Sequence, residues 1–238
     1  MAPMTGPVSH RPRVLIVDDE APLAGVIASY FERDGFETAV VGDGDAALAR
    51  VRAWNPAVVV LDLGLPGMDG LEACHRMRAL SDCYIVILTA RADEGHKLLG
   101  LSNGADDYMT KPFSPRELLA RVRAMQRRPR TSRPAPTEPV AFGQLLLDVG
   151  AREVHVGGVP VDLTRTEFDV LAALASRPRG VWARRQLIEE VWGEGWVGDE
   201  HLVDVHIGHL RRKLGDDPSR PRFVRTVRGV GYSIGSAT

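Results

Sequence analysis

Two domains of different class are predicted: an α/β, doubly wound five-stranded parallel sheet over residues 12–128 and an α+β winged helix over residues 140–238. Three observations predict them. Short apolar runs alternate strictly with helical patterns in the first half, as in a parallel sheet covered by helices on both faces. The stretch 129–139 holds four prolines and no large apolar residue, so it reads as an extended linker that fills no core. After it, short strands lead into three helices and a terminal hairpin.

In the first domain the strand candidates are Arg13–Val17, Phe36–Val40, Ala57–Leu61, Tyr84–Leu88 and Ala105–Met109. The helix candidates are Pro22–Arg33, Asp43–Ala53, Gly70–Leu80, Glu94–Leu101 and Pro115–Gln126. The runs Val58-Val59-Val60-Leu61 and Ile85-Val86-Ile87-Leu88 are apolar throughout, as strands buried on both faces are. In the second domain the expected strands are Phe142–Leu147, Val154–Val156 and Val159–Leu163, the last two around Gly157-Gly158. Thr164 and Glu167 have the spacing of a capping box and open a helix that runs to about Ser176. Arg184–Val191 suits a second helix, and Asp199 caps a third that ends at Leu214 before Gly215. Phe223–Val227 and Tyr232–Ile234 form the closing hairpin.

Composition narrows the class. With 238 residues, 44% hydrophobic and 26% charged, each half has enough chain for a soluble core. No apolar run nears the roughly 20 residues that span a bilayer, and Met1 to Arg13 lacks the apolar stretch of a signal peptide. A cytoplasmic protein without a membrane partner is expected. Cys74 and Cys83 are too few for a disulfide framework or a four-ligand zinc site and read as packing residues. The net charge of −1 hides an asymmetry: within 201–228, seven Lys and Arg face three Asp. Such a local excess suits a polyanion partner.

Ligands of an open parallel sheet bind beyond the carboxyl ends of its strands, near the switch in strand order. Asp18 and Asp19 follow the first strand, Asp62 ends the third, Thr89 ends the fourth and Lys111 follows the fifth. Three carboxylates gathered on one rim repel unless a positive charge lies between them. Mg²⁺, a hard cation that prefers oxygen, supplies that charge and recruits phosphate. A carboxylate nucleophile, a metal, a lysine and a hydroxyl are the parts that phosphoryl transfer requires.

These residues sit in motifs that closely resemble a response-regulator receiver, a flavodoxin-like domain. The motifs are Asp18-Asp19-Glu20, Leu61-Asp62-Leu63-Gly64-Leu65-Pro66-Gly67-Met68-Asp69-Gly70, Leu88-Thr89-Ala90-Arg91 and Gly104-Ala105-Asp106-Asp107-Tyr108-Met109-Thr110-Lys111-Pro112-Phe113. The resemblance implies that Asp62 accepts a phosphoryl group from a sensor histidine kinase. It implies Mg²⁺ held by Asp19, Asp62 and the Gly64 carbonyl, with Asp18 acting through water, and a cis Lys111–Pro112 bond. Thr89 would move toward the phosphoryl group and Tyr108 would rotate into the space behind it. Lys97, Asp106, Asp107, Glu117 and Arg121 match the charged residues through which the family forms homodimers on phosphorylation. An acid usual in the family is replaced by Ser102.

On the third helix of the second domain, Val203, Ile207, Leu210 and Leu214 form an apolar stripe. His201, Asp204, Val205, Gly208 and Arg212 lie opposite, with His209 and Arg211 on the flanks. A polar, partly basic face of this kind suits the major groove of double-stranded DNA, and Arg225-Thr226-Val227-Arg228 on the hairpin suits phosphates or the minor groove. The segments Thr164–Phe168, Val203–Leu214 and Thr226–Tyr232 resemble the OmpR/PhoB effector domain. This implies a transcription regulator that binds tandem repeats as a head-to-tail dimer, with His206, Arg211, Thr226 and Arg228 at positions that touch DNA. His201, Val205, His209 and Arg212 complete the candidate set. The loop Trp192–Gly198 carries two tryptophans, one of them expected in the core. In the family this loop can meet RNA polymerase; a purely structural turn is the alternative.

No enzyme is expected beyond Mg²⁺-dependent self-phosphorylation and autodephosphorylation at Asp62. Two other readings stay open at this point. One is a hydrolase that turns over a third-party phosphoester at Asp62, although no separate substrate pocket is evident. The other is a receiver that works without phosphate.

Overall fold

The computed structural model describes residues 11–90, 104–126, 138–194, 196 and 199–235. These fall into two compact units, one within Met1–Ala92 plus Tyr108–Leu119 and one within Asp93–Asp107 plus Ala120–Thr238. The expected helix Glu94–Leu101 and most of the linker lie outside the described residues.

The first domain runs β1 Arg13–Val17, α1 Ala21–Arg33, β2 Glu37–Val41, α2 Gly44–Trp54, β3 Val58–Asp62, α3 Gly70–Arg78, β4 Tyr84–Thr89, β5 Asp107–Thr110 and α4 Pro115–Gln126. Its sheet has the order β2-β1-β3-β4-β5, so the chain reverses direction across the sheet between β1 and β3. Every residue of β3 and β4 is buried, and Val58, Val59, Val60, Leu61, Ile85, Val86 and Leu88 are fully enclosed. Helices start where short polar side chains replace the missing backbone partners. The Asp43 carboxylate accepts from Ala46 N–H at 2.7 Å, and that of Asp69 from Leu71 N–H at 3.0 Å.

One glycine is dictated by a close approach. A Cβ at Gly70, the first residue of α3, would lie 2.6 Å from Leu63 Cα and 2.7 Å from the Asp62 carbonyl oxygen. Only a residue without a side chain lets α3 start this near the end of β3.

The second domain opens with a four-stranded antiparallel sheet: β6 Val140–Phe142, β7 Leu145–Asp148, β8 Glu153–Val156 and β9 Val159–Pro160. Then follow α5 Arg165–Ser176, β10 Trp182–Ala183, α6 Arg184–Trp192, α7 His201–Leu214, β11 Val224–Val227 and β12 Gly231–Ile234. The single strand expected over Phe142–Leu147 is a hairpin instead, because Gly143 takes a φ of 61° and reverses the chain. A short strand absent from the sequence reading, β10, pairs with β12 and makes the closing hairpin three-stranded. The capping box forms as its spacing predicts: Glu167 N–H donates to Thr164 Oγ1, and Thr164 N–H to Glu167 Oε2 at 2.7 Å. Asp199 accepts from the His201 N–H at 2.9 Å at the start of α7, and Gly215 closes that helix in the left-handed conformation. Among the described residues no helix is long and apolar enough to cross a membrane.

Candidate functional site: an acidic rim and a basic helix

Strand register builds the rim. Val17 of β1 lies opposite Leu61 of β3, which brings Asp18, just past β1, level with Asp62, the last residue of β3. Asp62 in turn lies opposite Leu88 of β4, one residue before Thr89. The Lys111 N–H donates to the Thr89 carbonyl at 2.7 Å, carrying the lysine to the same edge. The Lys111–Pro112 peptide bond is cis.

Asp18, Asp19 and Asp62 each offer a carboxylate oxygen, and the three atoms lie within 4.8 Å of one another. Asp18 and Asp62 are buried, whereas Asp19 is exposed. Lys111 Nζ lies 3.1 Å from Asp18 Oδ2, 3.2 Å from Asp62 Oδ2 and 3.4 Å from Glu20 Oε1. The other Asp18 oxygen accepts from the Glu20 N–H at 2.8 Å. Each Asp18 oxygen thus already has a partner, while Asp19 reaches the cluster from the solvent-exposed side.

Burial pushes the Asp62 carboxyl above its usual range, against the opposing pull of the Lys111 ammonium and the Gly64 N–H. For Lys111 burial works downward, but its bonds to Asp18 and Asp62 prevail and hold the ammonium above the ordinary lysine value. The lysine is therefore a permanent cation inside an acidic cluster. Three oxygens this close also suit a small divalent ion, which needs hard ligands and tolerates bound water. Thr89 is buried beside them and Tyr108 is half-buried. Glu20, which the sequence reading did not single out as a site residue, joins the lysine's partners because α1 starts at once after it.

Of the charged residues expected in a homodimer interface, Lys97 lies outside the described residues. Asp106 and Asp107 are buried, Glu117 is half-buried, and Arg121 donates to both Asp107 oxygens at 2.9 and 3.0 Å.

The second domain divides its candidates in two. His201, Arg212, Thr226 and Arg228 are exposed, and Val205 is half-buried on the same side of α7 as the exposed Gly208. His206, His209 and Arg211 turn inward, which corrects the picture of one continuous face. The His206 ring packs against Trp192 and His209 at centroid distances of 5.4 and 6.2 Å. Burial lowers both imidazoles, His209 to about 4, so both stay neutral near pH 7. Arg211 donates through Nε and Nη2 to the Val224 carbonyl, and through Nη2 to Thr226 Oγ1 at 2.8 Å. It fastens the hairpin to the helix. Lys213 is similarly spent on the capping-box Glu167, at 2.7 Å.

A second fastening was not expected. The Asp216 carboxylate accepts from the N–H groups of Arg222, Phe223 and Val224, at 2.7, 3.2 and 2.8 Å. Farther up α7, Asp204 Oδ1 accepts from Tyr232 Oη at 2.6 Å and from Arg184 Nε at 2.7 Å. Burial and this carboxylate push the Tyr232 hydroxyl up to about 12. Trp192, the last residue of α6, and Trp196, in the loop after it, are both buried, where one of the two was expected to be.

The fold defines a receiver-type α/β domain, with an acidic rim at its strand ends, joined to a winged helix. The response regulator receiver domain matches residues 14–123, and the C-terminal domain of transcriptional regulatory proteins matches residues 158–234. The chain is 48% identical to the DNA-binding response regulator MtrA of Mycolicibacterium smegmatis, over 94% of this chain and 97% of that protein. It is 44% identical to the sensory transduction protein RegX3 of the same organism, over 93% and 98%. Among solved structures, a mutant of RitR aligns with a TM-score of 0.73 at 26% identity, over 95% of this chain and 100% of that one. The response regulator DrrB of Thermotoga maritima, an OmpR/PhoB homologue, aligns with a TM-score of 0.51 at 32% identity, over 94% and 99%. The chain belongs to the OmpR/PhoB family of two-component response regulators, with a receiver and a DNA-binding domain.

Proposed function

We propose that Asp62 takes a phosphoryl group from the phosphohistidine of a sensor histidine kinase, and that this controls pairing of the protein and its binding to promoter DNA. The observation that carries the reading is the rim itself: three carboxylate oxygens within 4.8 Å, with Lys111 Nζ 3.1 and 3.2 Å from two of those residues.

In the transfer, an Asp62 oxygen attacks phosphorus, the O–P bond forms and the N–P bond breaks. The departing imidazole nitrogen keeps the electron pair. Asp19, Asp62 and the Gly64 carbonyl would hold Mg²⁺, with Asp18 behind a water molecule. Mg²⁺ held there would supply positive charge for the equatorial phosphoryl oxygens during the transfer. Lys111 then exchanges its bond to Asp62 for one to the phosphoryl group, and the Thr89 hydroxyl donates to another oxygen. Tyr108 follows Thr89 inward. Water attack on the acyl phosphate later breaks the Asp62 O–P bond, restores the carboxylate and releases inorganic phosphate, so the turnover is self-phosphorylation followed by autodephosphorylation.

Pairing of two copies through Lys97, Asp106, Asp107, Glu117 and Arg121 would require Asp107 and Arg121 to exchange their bond within one chain for bonds to a partner. Two paired winged helices bind tandem sites with a raised effective concentration. His201, Val205, Arg212, Thr226 and Arg228 are the DNA-facing set that exposure supports. The loop after α6, where Glu194 and Asp199 are exposed, is the part suited to RNA polymerase.

Acetyl phosphate with Mg²⁺ should label the protein, and Asp62→Asn should abolish the label. A label that persists in the variant, read by intact mass, would refute the assignment. Loss of the label together with duplex affinity indifferent to acetyl phosphate would leave a phosphate-independent regulator.

A further inference from the structure

Resting on the DNA-binding reading, the geometry points to His201 as a proton-controlled DNA contact, so that the protein's grip on duplex phosphates strengthens as the pH falls through the titration of this ring. His201 is the first residue of α7, and its side chain is 72% exposed. It shares the outer side of the helix with Val205, Gly208 and Arg212.

The ring is not free to choose its tautomer. Nδ1 lies 3.0 Å from Asp204 Oδ2, while Oδ1 of the same carboxylate accepts from Arg184 and Tyr232. Burial works against the Asp204 charge, but the hydrogen bonds from Tyr232, His201 and Arg184 hold that carboxyl below the usual range. A carboxylate has only acceptors to offer, so the neutral ring keeps its proton on Nδ1. Nε2 is then a lone pair. A phosphate oxygen is also an acceptor, and the neutral ring has nothing to give it. A proton taken from solvent onto Nε2 creates both a donor and a full positive charge at that spot.

The surroundings favour that proton. Asp204 acts from the same helix and Asp199 from the turn before it. Arg184 opposes from α6, as does the positive end of α7, and Tyr232 of β12 reaches the ring only through Asp204. Asp204 prevails, then Asp199, and the imidazole lies above the ordinary histidine value. Falling pH therefore converts the neutral ring to the charged one earlier than it would an isolated imidazole. His206 and His209, buried and held low, cannot supply this response.

Each phosphate met by a protein cation steepens the salt dependence of binding by about 0.9 in log–log slope. The full-length protein would be titrated onto a mixed-sequence duplex between about 50 and about 200 mM salt, since phosphate contacts are independent of sequence. The series would be run near pH 6 and near pH 8, on either side of the usual imidazole range. The wild-type slope should steepen by about 0.9 more than that of His201→Gln on going to the lower pH, a roughly threefold difference across that salt range. His201→Arg should be steep at both pH values, which also shows that position 201 lies within reach of phosphate. Identical pH responses in wild type and His201→Gln would overturn the inference and leave DNA binding intact. Absence of duplex binding by all three proteins would overturn the DNA-binding reading, and this inference with it.

Discussion

The acidic rim and the outer side of α7 solve opposite problems. The rim collects like charges from strand ends far apart in the chain and buries two of its three carboxylates around an ammonium. The helix spreads its polar groups on an open surface and spends its one inward arginine, Arg211, on the hairpin that follows. Chemistry needs groups whose positions are fixed before the substrate arrives; recognition of a duplex needs groups free to meet it. Removing one rim residue should therefore abolish a reaction, whereas removing one helix residue should rescale an affinity.

The sharpest break of this contrast is at Lys111. Lys111→Met should slow labelling by acetyl phosphate by orders of magnitude, because the phosphoryl oxygens lose their fixed cation. The residual reaction should fail at a higher pH than in wild type. The ammonium pulls the Asp62 carboxyl down, so its loss raises that group further, and the nucleophilic carboxylate is protonated earlier as pH falls. A pH profile of labelling that does not move would show that the two groups are uncoupled.

Gly70→Ala tests whether the rim depends on backbone packing. The added methyl would meet Leu63 Cα at 2.6 Å, a clash expected to cost about 1–3 kcal/mol in denaturant unfolding. Labelling should fall as well, since the Asp62 carbonyl oxygen is in the same clash.

On the helix, neighbouring arginines should part company. Arg211→Ala leaves the buried Val224 carbonyl without its guanidinium and should destabilise the domain by about 1–3 kcal/mol. Arg212→Ala should stay within about 0.5 kcal/mol of wild type, while flattening the salt slope of duplex binding by about 0.9. If both variants behaved alike, the division of α7 into an inward and an outward side would be wrong.

Much of this was legible in the chain. The apolar runs of β3 and β4 need burial on both faces, and that alone places Asp62 and Thr89 at one edge of a parallel sheet. The capping box of α5 has a spacing that only a helix start uses. The inward turn of His206 and Arg211 was not legible, because helical periodicity assigns a flank but not the partner waiting there. Val224 and Trp192 are brought to α7 by the tertiary fold, and the partners decide which flank is buried. Pairing of β10 with β12 escaped notice for a similar reason: two residues carry too little pattern to announce a strand. Asp216 read as one of two acids after a helix, and nothing local shows that three amides converge on it.

That convergence has a mechanical result. Knotted to the root of the hairpin by Asp216 and braced by Arg211, α7 cannot swing relative to the strand that follows it. Helix and wing form a caliper of fixed opening. Were both to meet an operator as proposed, one whose two contact points are spaced differently would have to bend or twist to fit, and the cost of misfit would fall on the nucleic acid rather than on the protein.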